Sequence, residues 1–225
     1  RELYQGLKTL PDWKLIYLDE MAAVFVRVEN AKKKWIMPDK NFNPDKQHTL
    51  VAPISISGTG LHTGITVDMT LKPANPGFGF QFQRLDLPGT PAIKADCDLV
   101  TDTSRGTTLE QNEVKVSTVE HILAALVGMG VDNCLIEING PEIPIMDGSA
   151  TSFVYLITSA GLVEQDALRR FIRIKQSVQV IEGDKIARLD PYFGFKTRFD
   201  IEFDHPAIDE TGTHCEVDFT GDAFV

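Results

Sequence analysis

Apolar and polar residues alternate along several short segments of the chain, and this period of two is typical of β-strands with one buried face. The clearest of these segments are 48–58, 64–73 and 77–86. In the third segment Phe78, Phe80 and Phe82 stand at every second position. The glycine-rich stretch 57–64 links the first two segments, which predicts a turn between two strands.

Two other segments carry apolar residues at helical spacing. The first follows the short strand pattern VKVS and runs from Ser117 to the glycines at 128 and 130; the second runs from Ser149 to Gly161. A glycine just past the last turn is a common end for a helix. Between the two helices, 131–145 predicts a strand that leads into a turn at Asp147-Gly148.

Strands followed by two helices, without a regular strand–helix–strand repeat, predict an α+β two-layer sandwich. Strand patterns then restart in segments 171–183, 185–192, 195–205 and 215–221, and no helical pattern follows them. We therefore expect one domain followed by the first strands of a second. The abrupt end after FTGDAFV predicts that the sequence is a fragment.

Residues 1–46 differ in composition from the rest of the chain. They hold both tryptophans and the triplet Lys32-Lys33-Lys34, and their net charge is +2, whereas the remainder carries −12. The stretch KLIYLDEMAAVFVRV predicts one or two strands, with PDW and MPDKNFNPDK as breakers. We interpret this segment as an arm foreign to the domain that follows, and its lysine triplet as a solvated basic turn.

Charge and cysteine content exclude some classes of function. The net charge of −10 argues against nucleic acid as a general partner. Three cysteines without CxxC spacing make disulfides improbable and predict a reducing cytoplasm. The sequence has no apolar run near the roughly 20 residues that span a bilayer, so no transmembrane segment is expected.

Ser117 and Glu120 stand three residues apart at the start of the first predicted helix. This spacing predicts a capping box, in which the serine oxygen accepts from a helix amide and Glu120 reaches back to Ser117. A carboxylate at a helix N-terminus also stays ionised more easily, so Glu120 is at once a candidate base. His121 by itself is more typical of a buried, hydrogen-bonded histidine than of a metal ligand.

Two further patterns resemble functional motifs only in part. The loop 57–64 lacks the Gly-Lys-Ser/Thr of a P-loop and leads into a strand, so a glycine-rich turn is the better interpretation than a phosphate site. His205 and Asp209 have the spacing of two metal ligands on a helix. Pro206 follows His205 directly, which makes a helix improbable there, and we reject this pair as a metal site.

Five motifs together carry a resemblance to a known family. They are SGTGLHTG (57–64), STVEH (117–121), VDN (131–133), PEIPIMDGSA (141–150) and FDHPAID (203–209). In this order they resemble the UDP-3-O-acyl-N-acetylglucosamine deacetylases, the zinc amidases that commit bacteria to lipid A synthesis. The resemblance runs from about Gln47 to Val225, and residues 1–46 have no counterpart in it.

The resemblance implies a zinc ion and a set of catalytic residues. The STVEH histidine of the family maps onto His121 as a zinc ligand, and the neighbouring glutamate maps onto Glu120 as the general base. The other His and Asp ligands come from a later HxxxD motif, which this chain does not reach. Because two of three protein ligands are then absent, we expect this chain to lack useful deacetylase activity.

The resemblance also implies how the substrate binds. His62, in the GLHTG motif, lines the groove of the family; Lys185 meets the diphosphate; Phe203 stacks on uracil with Glu202 beside it. The implied reaction removes the 2-N-acetyl group of UDP-3-O-(3-hydroxyacyl)-N-acetylglucosamine and releases acetate. The threonine that stabilises the oxyanion and the histidine that protonates the amine also lie in the part of the family that this chain does not reach.

The implied architecture has two domains of ββααβ layout, of the ribosomal S5 domain 2-like type, with the active site in the groove between them. Domain I then covers 47–167, and 168–225 forms the first strands of domain II. The implied location is the bacterial cytoplasm. In some relatives a hydroxyacyl-carrier-protein dehydratase domain follows on the same chain, and it is a possible partner domain here.

Two other hypotheses stay open at this point. The chain could be a non-catalytic module that keeps the nucleotide-sugar groove as a sensor or chaperone. Alternatively, residues 1–46 could carry an interaction function of their own on a genuine fusion. The sequence does not indicate acyl-chain length preference or oligomeric state.

Overall fold

The computed structural model describes residues 13–19, 22–27, 43, 45–200 and 214–218. Its strands, in chain order, are β1 (Trp13–Asp19), β2 (Ala22–Arg27), β3 (Lys46–Leu50), β4 (Ile54–Thr59), β5 (Thr66–Pro73), β6 (Phe80–Arg84), β7 (Ala92–Lys94), β8 (Val100–Asp102), β9 (Thr108–Gln111), β10 (Val114–Ser117), β11 (Cys134–Ile138), β12 (Leu162–Leu168), β13 (Val178–Glu182), β14 (Lys185–Leu189), β15 (Lys196–Asp200) and β16 (His214–Asp218). The helices are α1 (Glu120–Gly128) and α2 (Thr151–Ala160), with a 3₁₀ turn at Cys97–Leu99. Strands interrupted by two helices confirm the predicted α+β class.

A five-stranded sheet in the order β4-β5-β11-β6-β7 organises the first part of the chain. Neighbouring strands are antiparallel except for β11 and β6, which are parallel. The register places Ile136 of β11 opposite both Leu71 of β5 and Phe82 of β6, and all three are fully buried. The alternation in the sequence therefore does mark one buried face of this sheet, as predicted.

Both predicted helices contribute to the core. Every residue of α1 from Glu120 to Leu126 is buried, and Phe153, Leu156 and Ile157 are the buried residues of α2. The two helices contact each other. Gly130 (φ 77°) follows α1 and Gly161 (φ 72°) follows α2, which confirms the glycine stops.

Four strands escaped prediction: β7, β8, β9 and β12. β8, β9 and β10 form a second sheet, and the β9–β10 turn places Asn112 (φ 51°) and Glu113 (φ 65°) in the left-handed region. Such a turn usually contains glycine, so the pair Asn-Glu gives a weak signal in the sequence. This small sheet matters because its last strand, β10, leads directly into α1.

The strands predicted after residue 170 form the hairpin β13–β14 and the antiparallel pair β15–β16. The strand that we predicted from residue 171 starts only at Val178, and residues 171–177 have no regular structure. Val180, Ile181 and Ile186 of the first hairpin are each about half exposed or more, at 48–65%. The strands predicted within 1–46 are confirmed as the antiparallel pair β1–β2.

None of the helices among the described residues is both long and apolar enough to cross a membrane.

Candidate active site

Glu120 and His121 open helix α1 and lie together in the interior. Only 3% of Glu120 and 2% of His121 is exposed, although both are ionisable. Glu120 Oε1 lies 4.0 Å from His121 Nε2. Because a buried carboxylate beside a buried imidazole is costly to desolvate, this pair is the foremost functional candidate among the described residues.

The predicted capping box is wrong. Ser117 belongs to β10, where its N–H donates to Pro141 O and its carbonyl accepts from Ile143 N. The helix begins only at Glu120, with Val119 as its cap residue and no side-chain cap hydrogen bond. The sequence spacing was right, but strand pairing takes up the backbone groups of Ser117 that capping needs.

The carboxylate of Glu120 instead binds a loop. Its Oε2 accepts from the backbone N–H of Thr107 at 2.9 Å, and Thr107 O accepts from Val119 N at 3.3 Å. Burial raises the pKa of Glu120, and the hydrogen bond from Thr107 and the nearby His62 oppose that rise only in part. Our expectation of a readily ionised carboxylate is therefore wrong; a raised pKa suits a group that must take up a proton.

His121 is neutral at neutral pH. Burial lowers its pKa to about 4, and the charge of Asp147 opposes this shift. Neutral imidazole is the form that binds metal ions. The chemistry of this donor therefore fits the zinc ligand that the resemblance implies, although a single imidazole does not make a metal site.

His62 faces Glu120 across Gly106. A Cβ added to Gly106 would lie 3.6 Å from His62 Nε2, 3.5 Å from Glu120 Oε1 and 3.5 Å from Thr118 Oγ1. His62 Nε2 also lies 3.1 Å from Arg105 O, which fixes the ring over this loop. His62 is exposed, whereas Thr118 and Glu120 are buried, so the polar groups around this added Cβ extend from the interior to the surface. We call the position of this Cβ the spot over Gly106.

Glu142 is a site residue that the sequence analysis missed. It is fully buried, and its two oxygens accept from the N–H groups of His62 (3.0 and 3.2 Å) and Thr63 (2.8 Å). Oε1 also accepts from Thr118 Oγ1 at 3.0 Å. The glycine-rich loop 57–64 therefore does cradle an anion, but the anion is an internal carboxylate. The only sequence signal was its place within PEIPIMDGSA.

Gly60→Ala is expected to destabilise the protein, because a Cβ there would lie 2.5 Å from both Glu142 Oε2 and Thr63 Oγ1. We expect a loss of about 1–3 kcal/mol in the free energy of unfolding, measured by urea denaturation. Gly128→Ala is the matched control, since no atom lies within 4 Å of its added Cβ and alanine favours the helix by up to about 1 kcal/mol. Equal stability of the two variants would contradict the crowding at Gly60.

The buried Glu142 also predicts a pH dependence of stability. Burial would raise its pKa, but the hydrogen bonds from His62, Thr63 and Thr118 outweigh burial and lower it below the ordinary 4.5. A lowered folded-state pKa stabilises the fold above pH 4.5, and this contribution is lost as pH falls through the folded-state pKa. We therefore expect the stability difference between the wild type and Glu142→Gln to shrink between pH 6 and pH 3, measured by urea denaturation. A difference independent of pH would contradict the prediction.

The remaining predicted site residues lie either in another sheet or outside the residues that the structure describes. Lys185 is exposed at the start of β14, in another sheet, with its Nζ 3.8 Å from Asp184 Oδ1. Glu202 and Phe203 fall outside the described residues, as do His205 and Asp209. The structure thus brings together His62, Glu120 and His121, and gives Lys185 no contact with them.

One cluster among the described residues has the composition of a metal site: Asp96, Cys97 and Asp98. Asp96 already caps the 3₁₀ turn by accepting from Asp98 N, at 3.0 Å. Burial, with the two aspartates, raises the pKa of the Cys97 thiol, which opposes the thiolate that a metal needs. We therefore interpret this cluster as the cap of the 3₁₀ turn and keep His121 as the candidate metal ligand. Neither Cys97 nor Cys134 forms a disulfide.

The comparison with known families covers most of the chain. A family model described as UDP-3-O-acyl N-acetylglycosamine deacetylase matches residues 47–225. The match includes every site residue named above and begins within β3.

Proposed function

The chain belongs to the UDP-3-O-acyl N-acetylglycosamine deacetylase family, and from this we propose that it carries residues of a zinc-dependent active site for lipid A synthesis. The reaction is hydrolysis of the 2-N-acetyl group of UDP-3-O-(3-hydroxyacyl)-N-acetylglucosamine. The observation that carries the proposal is the position of Glu120 Oε1. It lies 3.5 Å from a Cβ added at Gly106, a point 3.6 Å from His62 Nε2, and it lies 4.0 Å from His121 Nε2. The family resemblance assigns the role of general base to Glu120, of zinc ligand to His121 and of groove lining to His62.

His121 is the residue that would hold zinc, because its buried imidazole is neutral at neutral pH. Zinc, when bound, polarises an amide carbonyl and lowers the pKa of water. The described residues offer one such ligand beside Glu120, so we propose that the others come from outside them. Because a single imidazole makes a weak site, we expect zinc affinity to depend on those further ligands as well as on His121.

Glu120 acts as the general base. It is buried with its Oε2 tied to Thr107 N, while its Oε1 lies toward the spot over Gly106 and 4.0 Å from His121 Nε2. A raised pKa lets the carboxylate accept a proton and hold it through the reaction. His62, fixed by its loop, lines the exposed side of the same spot.

The nucleotide part of the substrate would bind along domain II, which begins at residue 168. We propose that Lys185 meets the diphosphate and that Phe203 and Glu202 hold the uracil, as the family resemblance implies. The exposed position of Lys185 on its hairpin supports this assignment, since an ammonium paired only loosely at 3.8 Å with Asp184 is available to an anion. We also propose that domain I covers residues 47–167, that domain II begins at residue 168, and that each domain has the ββααβ layout of the family.

Acetate release tests this function. We expect the full product of the gene to release acetate from the UDP-3-O-acyl substrate, to lose this activity on dialysis against a chelator, and to regain it with zinc. Binding of the nucleotide sugar without acetate release would instead support a non-catalytic module. Activity that survives complete removal of metal would contradict zinc dependence.

Gly106→Ala is expected to impair activity without harming the fold. The added methyl would sit 3.5–3.6 Å from His62, Glu120 and Thr118, which is ordinary van der Waals contact, so the free energy of unfolding should change by less than about 1 kcal/mol. In the proposed binding mode the acetamide lies over Gly106, where the methyl would obstruct it, so we expect at least about a tenfold loss in kcat/KM. Wild-type kcat/KM in this variant would show that the reacting group lies elsewhere.

A further inference from the structure

We propose that Glu142 is a positioning residue that holds His62 and Glu120 at a fixed separation across the site. The inference rests on the proposed function for its meaning, because it assigns Glu142 a part in that site. Glu142 touches neither His121 nor the spot over Gly106 in any contact described above. It acts through the two segments that it joins.

The first segment is the loop that carries His62. Its turn closes on itself through Gly60 N to Ile65 O (2.9 Å) and Gly64 N to Gly60 O (3.1 Å). The consecutive N–H groups of His62 and Thr63 then point into one carboxylate, that of Glu142. An anion bound by successive backbone amides fixes the loop more firmly than a neutral acceptor would, because charge-assisted hydrogen bonds are about twice as strong.

The second segment is the link from β10 to α1. Thr118 has φ of 60°, a strained conformation for a β-branched residue, and its hydroxyl donates to Glu142 Oε1. Ser117 pairs with Glu142 as a parallel bridge, so backbone and side chain hold the link together. Glu120 follows Thr118 by two residues, and its placement depends on this turn.

One carboxylate therefore sets both sides of the site. Glutamine at 142 would present one oxygen and one NH₂ group to three donors, so at least one donor would be left unsatisfied in the interior. The loop and the link could then shift independently. Displacements of about 1 Å in a catalytic arrangement cost on the order of 100-fold in rate.

The test uses Glu142→Gln in the full product of the gene, with Glu137→Gln as the matched control. Glu137 lies on β11 and pairs with Lys72 Nζ at 2.6 Å, away from the loop and the link. Per molecule of folded, zinc-bound protein, we expect kcat to fall on the order of 100-fold in Glu142→Gln, with KM changed less than about threefold. Glu142→Asp should recover part of the loss. An unchanged kcat in Glu142→Gln would overturn the proposal.

Thr118→Val is a second variant for the case that Glu142→Gln does not fold, because it removes only the hydroxyl that donates to Glu142 Oε1. We expect kcat in Thr118→Val to be about tenfold lower than in Thr118→Ser, which keeps the hydroxyl that donates to Glu142. Equal rates for the valine and serine variants would overturn the proposal as well.

A readout without catalysis separates this inference from the proposed function. The imidazole NMR signals of His62 should shift or broaden in Glu142→Gln, whereas those of His48, which is buried beside Asp132, should stay in place. If the wild type releases no acetate, the proposed function fails even when His62 responds. If acetate is released and the His62 signals do not change, the positioning role of Glu142 fails by itself.

Discussion

Glu120→Gln is expected to lower kcat for acetate release by about 10²–10⁴-fold in the full product of the gene. Glutamine keeps the size of the side chain and an oxygen that accepts from Thr107 N, so the local fold should persist. It cannot take up a proton. The loss should therefore fall on kcat and kcat/KM alike, measured by steady-state acetate release.

Glu110→Gln is the matched control for this substitution. Glu110 pairs with Lys115 Nζ at 3.1 Å on the β9–β10 hairpin, the same sheet that leads into α1. The rates of this variant should equal those of the wild type. A Glu120→Gln enzyme within threefold of wild-type kcat would remove Glu120 from the role of base.

His121→Ala is expected to lower the affinity for zinc by more than about 100-fold, because even the loss of a residue that only supports a ligand costs 10–100-fold. Removing an imidazole that is only 2% exposed also leaves a cavity at the start of α1. Zinc titration against a competing chelator measures the affinity. Far-UV circular dichroism on the same samples checks that the helices remain.

His214→Ala serves as the control for histidine loss. His214 is an exposed residue of β16 whose Nδ1 lies 2.5 Å from Asp200 Oδ1. Its removal should leave zinc affinity unchanged. Equal zinc affinity in His121→Ala and in the wild type would mean that the metal is held by other residues.

Periodicity was sufficient to predict the elements that pack on both sides of the main core. The alternation in β5 and β11 and the glycines after α1 and α2 correspond to buried faces and helix ends in the structure. These signals are local, because the residues that alternate and the glycine that ends the element lie in the same short segment of the sequence. Of the strands that escaped, β7, β8 and β9 have only three or four residues, too few to show a period. β12 is longer, but its sequence LVEQDAL does not alternate regularly between apolar and polar residues.

The predicted capping box does not form because long-range strand pairing competes with this local motif. Ser117 and Glu120 have the right spacing, but Pro141 and Ile143 take the backbone groups of Ser117 into a strand bridge. No local pattern predicts that bridge. The raised pKa of Glu120 has the same origin, since it depends on how completely the chain buries the residue.

The motifs identified which residues of the site matter, but not how they meet. His62 and Glu120 are far apart in sequence, and their approach over Gly106 needs the loop at Arg105, whose φ is 80°. Glu142 could not be predicted as a site residue from the sequence, because the turn amides that it binds lie about 80 positions away. A buried charge with no local partner is the kind of feature that only the fold explains.

Anomalous diffraction at the zinc absorption edge, from crystals of the zinc-loaded full product of the gene, tests the central claim most directly. We predict a single strong peak about 2.0–2.1 Å from a ring nitrogen of His121, with the Glu120 carboxylate beside it. A peak at Asp96, Cys97 and Asp98, with the ring of His121 bound to no metal, would contradict the account.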